Sequence, residues 1–164
     1  MTGKATTSQL PEIAIIGLEE GLDSPSLRIL AGLNQNENPF QVEDYFSKTL
    51  QELNIQLPDK RQATIEFAVA IAEQTIAGKI DLILGTKQMI ETIHTYDFFS
   101  DSKNYCYDSI GFENVYGVYY NYDDLVNADH PWQVNKTNDE LIVEVKVELL
   151  EALRKWYAMI KNGA

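Results

Sequence analysis

The sequence predicts a mainly α protein, a single domain of about five or six helices, and three observations support that class. Proline and capping residues recur at helix-length intervals: Pro11, Ser24-Pro25, Asn38-Pro39 and Pro58-Asp59. Between them, apolar residues follow i, i+3, i+4 spacing and do not alternate. The 164 residues are 45% hydrophobic, enough for one core and few enough to discourage two.

Residues 1–8 are small and polar and read as a disordered lead-in. Pro11 opens a first helix through Ile13, Ile16 and Leu18 that ends near Gly21. Asp23-Ser24-Pro25 caps a second, with Leu27, Leu30 and Ala31 on one side, until Gly32 weakens it. In the third, Asn38 caps, Pro39 starts, and Val42, Tyr45, Phe46, Thr49, Leu50 and Leu53 form one stripe. Glu43, Asp44, Lys48, Gln51 and Glu52 take its outer face.

Pro58 and Asp59 introduce a fourth helix that runs to Gly78. It is apolar on most sides and reads as the buried centre, with Phe67 and Ile71 inside. A shorter helix is expected over 87–94, with Met89, Ile90 and Ile93 inward. At the far end Thr137 and Glu140 make a capping box. Ile142, Val145, Leu149, Leu153, Trp156 and Ile160 then line one face of a long C-terminal helix.

Residues 96–137 break the pattern and read as an irregular aromatic and acidic insertion, with room for a short hairpin. Seven tyrosines and seven carboxylates lie between Tyr96 and Trp132 around the single Lys103. Residues 115–122 alternate as a strand would, but with aromatics on both faces. A loop entering a short helix over 122–127 accounts for them equally well.

Charge narrows the classes of function. The net charge is −12, with 25 acids against 13 Lys plus Arg, and seven acids against two lysines fall within 96–137. Direct nucleic-acid binding and anionic membrane surfaces are disfavoured, because both need clustered cations. A basic protein is a compatible partner, since opposite fields speed encounter. The opening MTGKATTSQLPE lacks the apolar run of a signal peptide and no stretch approaches a bilayer span, so the expectation is a cytoplasmic protein without membrane attachment.

The inventory for chemistry is thin. His94 and His130 have no partner spacing for a transition metal, and the acids form no calcium loop. Cys106 sits among acids, which raise a thiol's pKa, so it reads as structural. The glycines form no phosphate cradle, and no GxSxG or HExxH is present. The expectation is therefore no catalytic residue, no metal, no cofactor and no enzyme.

Tyrosine supplies rigid contact area at low entropy cost, and acids supply a one-sign field; together they suit the grip of a basic protein surface. The candidate partner-binding residues are Asp97, Asp101, Tyr105, Tyr107, Asp108, Tyr116, Tyr119, Tyr120, Tyr122, Asp123, Asp124, Asp129 and Trp132. Some of the tyrosines must face the core.

The stretches LDSPSLRILAGL (residues 22–33) and NPFQVEDYFSKTLQEL (residues 38–53) resemble the opening of small, mostly helical bacterial proteins of uncharacterised or immunity type. Immunity members are encoded with the toxins of competition systems. The resemblance covers the first third of the chain and carries no catalytic motif. It implies a helical protein that blocks a toxin by binding it. The reading is thus a stoichiometric inhibitor of a basic toxin or effector, and the alternative is a helical adaptor or assembly subunit with no toxin partner.

Overall fold

The computed structural model describes residues 6–34, 37–98, 100–127 and 135–163. It is 72% helical, with seven α-helices and no strand among the described residues. These are α1 (Leu10–Glu19), α2 (Pro25–Gly32), α3 (Pro39–Glu52), α4 (Lys60–Ile76), α5 (Leu82–Ile93), α6 (Glu113–Asn127) and α7 (Asn138–Lys161). Contacts gather them into two compact units, Met1–Lys60 and Arg61–Ala164.

In the first unit α1, α2 and α3 pack around Leu10, Ala14, Leu27, Leu30 and Val42. The predicted caps are in place: Ser24 Oγ accepts from the Leu27 N–H, and Asn38 Oδ1 accepts from the Phe40 N–H. Glu52 adds a clamp that its place on the outer face did not announce. Its carboxylate accepts from the Ser26 hydroxyl at 2.7 Å and the Ser26 N–H at 2.9 Å, so the end of α3 holds the start of α2. These bonds, the hydroxyl's first, hold the Glu52 carboxyl below its ordinary pKa.

The lead-in differs from expectation in its second half. Thr6 and Gln9 form a reciprocal capping box around a 3₁₀ turn, Thr7–Gln9, that runs into α1. Residues 1–5 lie outside the described residues.

In the second unit the core centres on Met89, Ile93, Phe98, Phe112, Val115, Leu149 and Leu153. Helix α4 is buried along one side only and is not the all-buried centre. It turns Thr64, Ile65, Ala68, Ile71, Ala72 and Thr75 inward. Phe67 lies on the opposite face with Glu66 and Glu73 and is 46% exposed, which corrects its expected burial. The small Ala68 and Ala72 occupy the buried line and let neighbouring elements approach closely.

Helix α5 begins five residues before the expected start. Asp81 is its cap, with Oδ1 accepting from the Ile83 and Leu84 N–H groups at 2.9 and 3.1 Å. Gly85 permits the close approach of α4 there, since a Cβ at this position would stand 2.0 Å from Thr75 Oγ1.

The segment expected to be irregular contains the largest difference. Residues 113–127 form α6, without a hairpin, and α6 pairs closely with α7. At helical spacing Val115, Val118, Tyr119 and Leu125 make one buried stripe, a pattern hidden when the same residues are read at a period of two. The loop before α6 also feeds the core. Phe112 meets Trp156 edge-on at 5.0 Å, and Trp156 Nε1–H donates to the Ile110 carbonyl at 2.9 Å, pinning the loop to α7.

Candidate aromatic and acidic interface

The aromatic residues of the loop and α6 form one continuous row. Ring centroids step from His94 to Tyr107 (5.6 Å), Tyr107 to Tyr116 (4.9 Å) and Tyr116 to Tyr120 (4.6 Å). The row continues from Tyr120 to Tyr119 (5.6 Å) and from Tyr119 to Tyr122 (6.4 Å), where Lys146 Nζ sits 5.5 Å from the Tyr122 centroid. Helical geometry builds this row, because residues 116 and 120 are neighbours one turn apart on a single face.

Depth within the row separates core from surface. Tyr107 and Tyr119 are only 7% and 9% exposed and pack into the core, so neither offers a face to a partner, contrary to the role expected of them. Tyr105 is 72% exposed and Tyr120 38%, with Tyr116 and Tyr122 half-buried between these extremes. Burial pushes the Tyr116 hydroxyl up to about 12, helped by its hydrogen bond with Tyr120, and burial likewise raises Tyr107. Both shifts favour the neutral phenol, and a tyrosine presents an apolar face with a polar tip.

Tyr107 has a left-handed backbone, φ 64° and ψ 17°, which a bulky side chain adopts at a cost. The conformation turns the chain into the 3₁₀ turn Asp108–Ile110 and sets the ring against His94 and Tyr116. Cys106 beside it is a free, half-buried thiol.

The predicted acids divide in the same way. Asp108 accepts from the N–H groups of Lys103, Asn104 and Tyr105 at 3.0, 2.8 and 3.2 Å, closing the loop on itself. The Asn104 N–H does most to hold its carboxyl below the ordinary range. Asp97 accepts from both the N–H and the hydroxyl of Ser100 and organises its own turn. Asp101 lies 3.5 Å from Arg61, whose guanidinium also covers the Phe98 ring. These three acids have a structural task in the loop, while Asp97 and Asp101 stay exposed and Asp108 is half-buried. Asp123 and Asp124 lie on α6, half-buried and exposed respectively, and remain at the surface. Asp129 and Trp132 lie outside the described residues, as does His130.

Sequence reasoning missed a hollow of about 420 Å³ lined by Tyr105, Cys106, Glu113, Asn114 and Tyr116. Of its lining residues, Glu113 has one carboxylate oxygen, Oε2, buried without a hydrogen-bond partner. Recognising α6 as a helix would have revealed the site, since Glu113 and Tyr116 are then i, i+3 neighbours. A separate apolar hollow of about 320 Å³ lies in the first unit among α1, α2, α3 and the chain after α3, lined by residues such as Ile13, Leu27, Phe46 and Leu57. Among the described residues no cluster of three or more His, Cys, Asp or Glu is placed to hold a metal, and no helix is long and apolar enough to cross a membrane.

No protein-family model, curated protein or solved structure matches the chain.

Proposed function

We propose that this chain binds a basic protein through the outer face of α6 and the loop before it, and acts as a stoichiometric inhibitor of that partner. The observation that supports this most is the pairing of Tyr116, Tyr120 and Tyr122 with the surface acids Asp123 and Asp124 on α6, with the exposed Tyr105 on the loop before it. Tyr116, Tyr120 and Tyr122 are held by ring contacts and so lose little entropy on binding, which lets their contact area convert efficiently into affinity. Acids at the edge of such a patch draw a cationic surface toward it and act mainly on encounter rate.

The second unit carries 16 acids against nine Lys plus Arg, so the patch lies in a field of one sign. A protein that must bind nucleic acid is basic for that purpose, and a nuclease toxin is one partner class that meets the requirement. Inhibition follows if the acidic face occupies the surface that the toxin needs for its own substrate.

The test is affinity capture from the source cell with the wild-type chain and with Tyr120→Ala and Tyr105→Ala side by side. Capture of a basic protein in about equal molar amount, lost or strongly reduced for the tyrosine variants, is the expected result. Equal capture by wild type and both variants, with all three folded by circular dichroism, would contradict the assignment of the face.

A further inference from the structure

Resting on the interface reading above, we propose that the hollow between Tyr105 and Tyr116 receives an arginine side chain of the partner, its guanidinium stacked on tyrosine and paired with the Glu113 carboxylate. The lining is specific in chemistry. Two aromatic rings, a carboxylate and a primary amide line the hollow, and no cationic side chain does. One oxygen of the Glu113 carboxylate, Oε2, is closed to solvent without a hydrogen-bond partner, which leaves the negative charge under-compensated beside the hollow. A nearby cation, Lys103, lines a different hollow with Asp101, Asn104, Asp108 and Ser109.

Arginine fits this set better than lysine does. Its planar guanidinium stacks on aromatic faces and offers paired N–H donors to a carboxylate, whereas an ammonium is a compact, strongly hydrated point charge. The Asn114 carbonyl can accept a further N–H. The volume of about 420 Å³ admits such a side chain together with bridging waters, each of which takes about 30 Å³. A tyrosine ring offers its negative face to a cation, and burial raises the Tyr116 hydroxyl to about 12, which favours its neutral form.

The probe is N-acetyl-arginine methylamide, titrated into the full chain and followed by NMR at the Tyr105 ring and the Asn114 amide, with the citrulline and lysine analogues in parallel. Saturable binding is expected that weakens at least tenfold for citrulline and several-fold for lysine. Glu113→Gln and Tyr105→Leu should each weaken the arginine probe at least tenfold; Tyr105 is largely exposed, so its variant keeps the fold. Equal binding of citrulline, or an arginine affinity unchanged in Glu113→Gln, would overturn the assignment, and so would the absence of saturable binding. If the hollow fails in this way while partner capture still depends on Tyr120, the broader interface reading stands. If the hollow binds arginine while capture ignores both Tyr120 and Tyr105, the interface reading falls and the arginine site remains.

Discussion

Gly85 and Thr75 show how a single methyl group decides whether two helices meet. Thr75 Oγ1 donates to the Ile71 carbonyl at 2.8 Å, and its Cβ and Cγ2 would each stand 3.0 Å from a Cβ added at Gly85. Gly85→Ala should cost about 1–3 kcal/mol in urea denaturation, the usual range for overpacking a close contact. The loss should shrink by about 1 kcal/mol or more when Thr75→Ala is made in the same chain, because the two residues share the contact. Additive losses would mean that the crossing is looser than this geometry. Tyr107 carries a different kind of strain, in its backbone. Tyr107→Ala and Tyr107→Gly both remove the ring, but only glycine is at ease with φ 64°. The glycine variant should therefore be more stable than the alanine variant by about 1 kcal/mol. Equal stabilities would place no strain at this turn.

At the scale of elements, the helices with conventional punctuation were legible in the sequence and the others were not. Ser24-Pro25, Asn38-Pro39 and the Thr137/Glu140 box are local signals that need no tertiary context, and α2, α3 and α7 start where these stand. Helix α5 was placed late because its cap, Asp81, stands alone without a proline or a box partner. Helix α6 is hard to read because tyrosines suit strands, cores and interfaces alike, and residues 115–122 alternate as a strand would. Gly117 is exposed with nothing near its missing Cβ, so it weakens α6 without a packing role. Composition is likewise misleading at Phe67: α4 is apolar enough to look central, but its small and aliphatic residues, not its aromatic one, face inward. Phe67→Ala should accordingly cost less than about 1 kcal/mol, whereas Leu153→Ala, fully buried on α7, should cost about 2–5 kcal/mol. Urea denaturation of the two variants checks the orientation of both helices; similar losses would contradict it.

Across the whole molecule, charge and pH act through a few identifiable groups. Glu52, Asp108 and Glu140 have carboxyls held below their ordinary values, by Ser26, by the Asn104 N–H and by the Thr137 N–H respectively. A carboxyl lowered on folding stabilises the native state above its unfolded value, ordinarily 3.8 for Asp and 4.5 for Glu, and loses that contribution as pH falls through the folded one. Tyr116 acts at the other end: its hydroxyl is raised from 10.0 to about 12, so its contribution is complete below pH 10 and is lost as pH rises through 12. Thermal melts should therefore show Tm falling below about pH 4.5 and again above about pH 10. Tyr116→Phe should make the alkaline loss smaller; an unchanged alkaline limb would remove Tyr116 as its cause.

Of the candidate interface, the region was legible from its composition, but the depth of each residue was not. Burial depends on which face of α6 meets α7, and no count of tyrosines and acids contains that information. Loop closure by Asp108 and the turn at Asp97 were equally hidden, because a carboxylate that caps amides and one that faces solvent look the same in sequence. The proposal is narrower than the sequence reading: Tyr105, Tyr116, Tyr120 and Tyr122 are proposed as the grip, and Asp123 and Asp124 as the steering charges.

The most direct test is the kinetics of partner binding by surface plasmon resonance at low and high salt. Replacing Asp123 and Asp124 with Lys should slow association about tenfold or more and flatten its salt dependence. Tyr120→Ala should leave association nearly unchanged and speed dissociation roughly thirtyfold, a hot-spot loss on the order of 2 kcal/mol. If both variants keep their helical content and bind with wild-type rates at either salt concentration, the α6 face is not the interface.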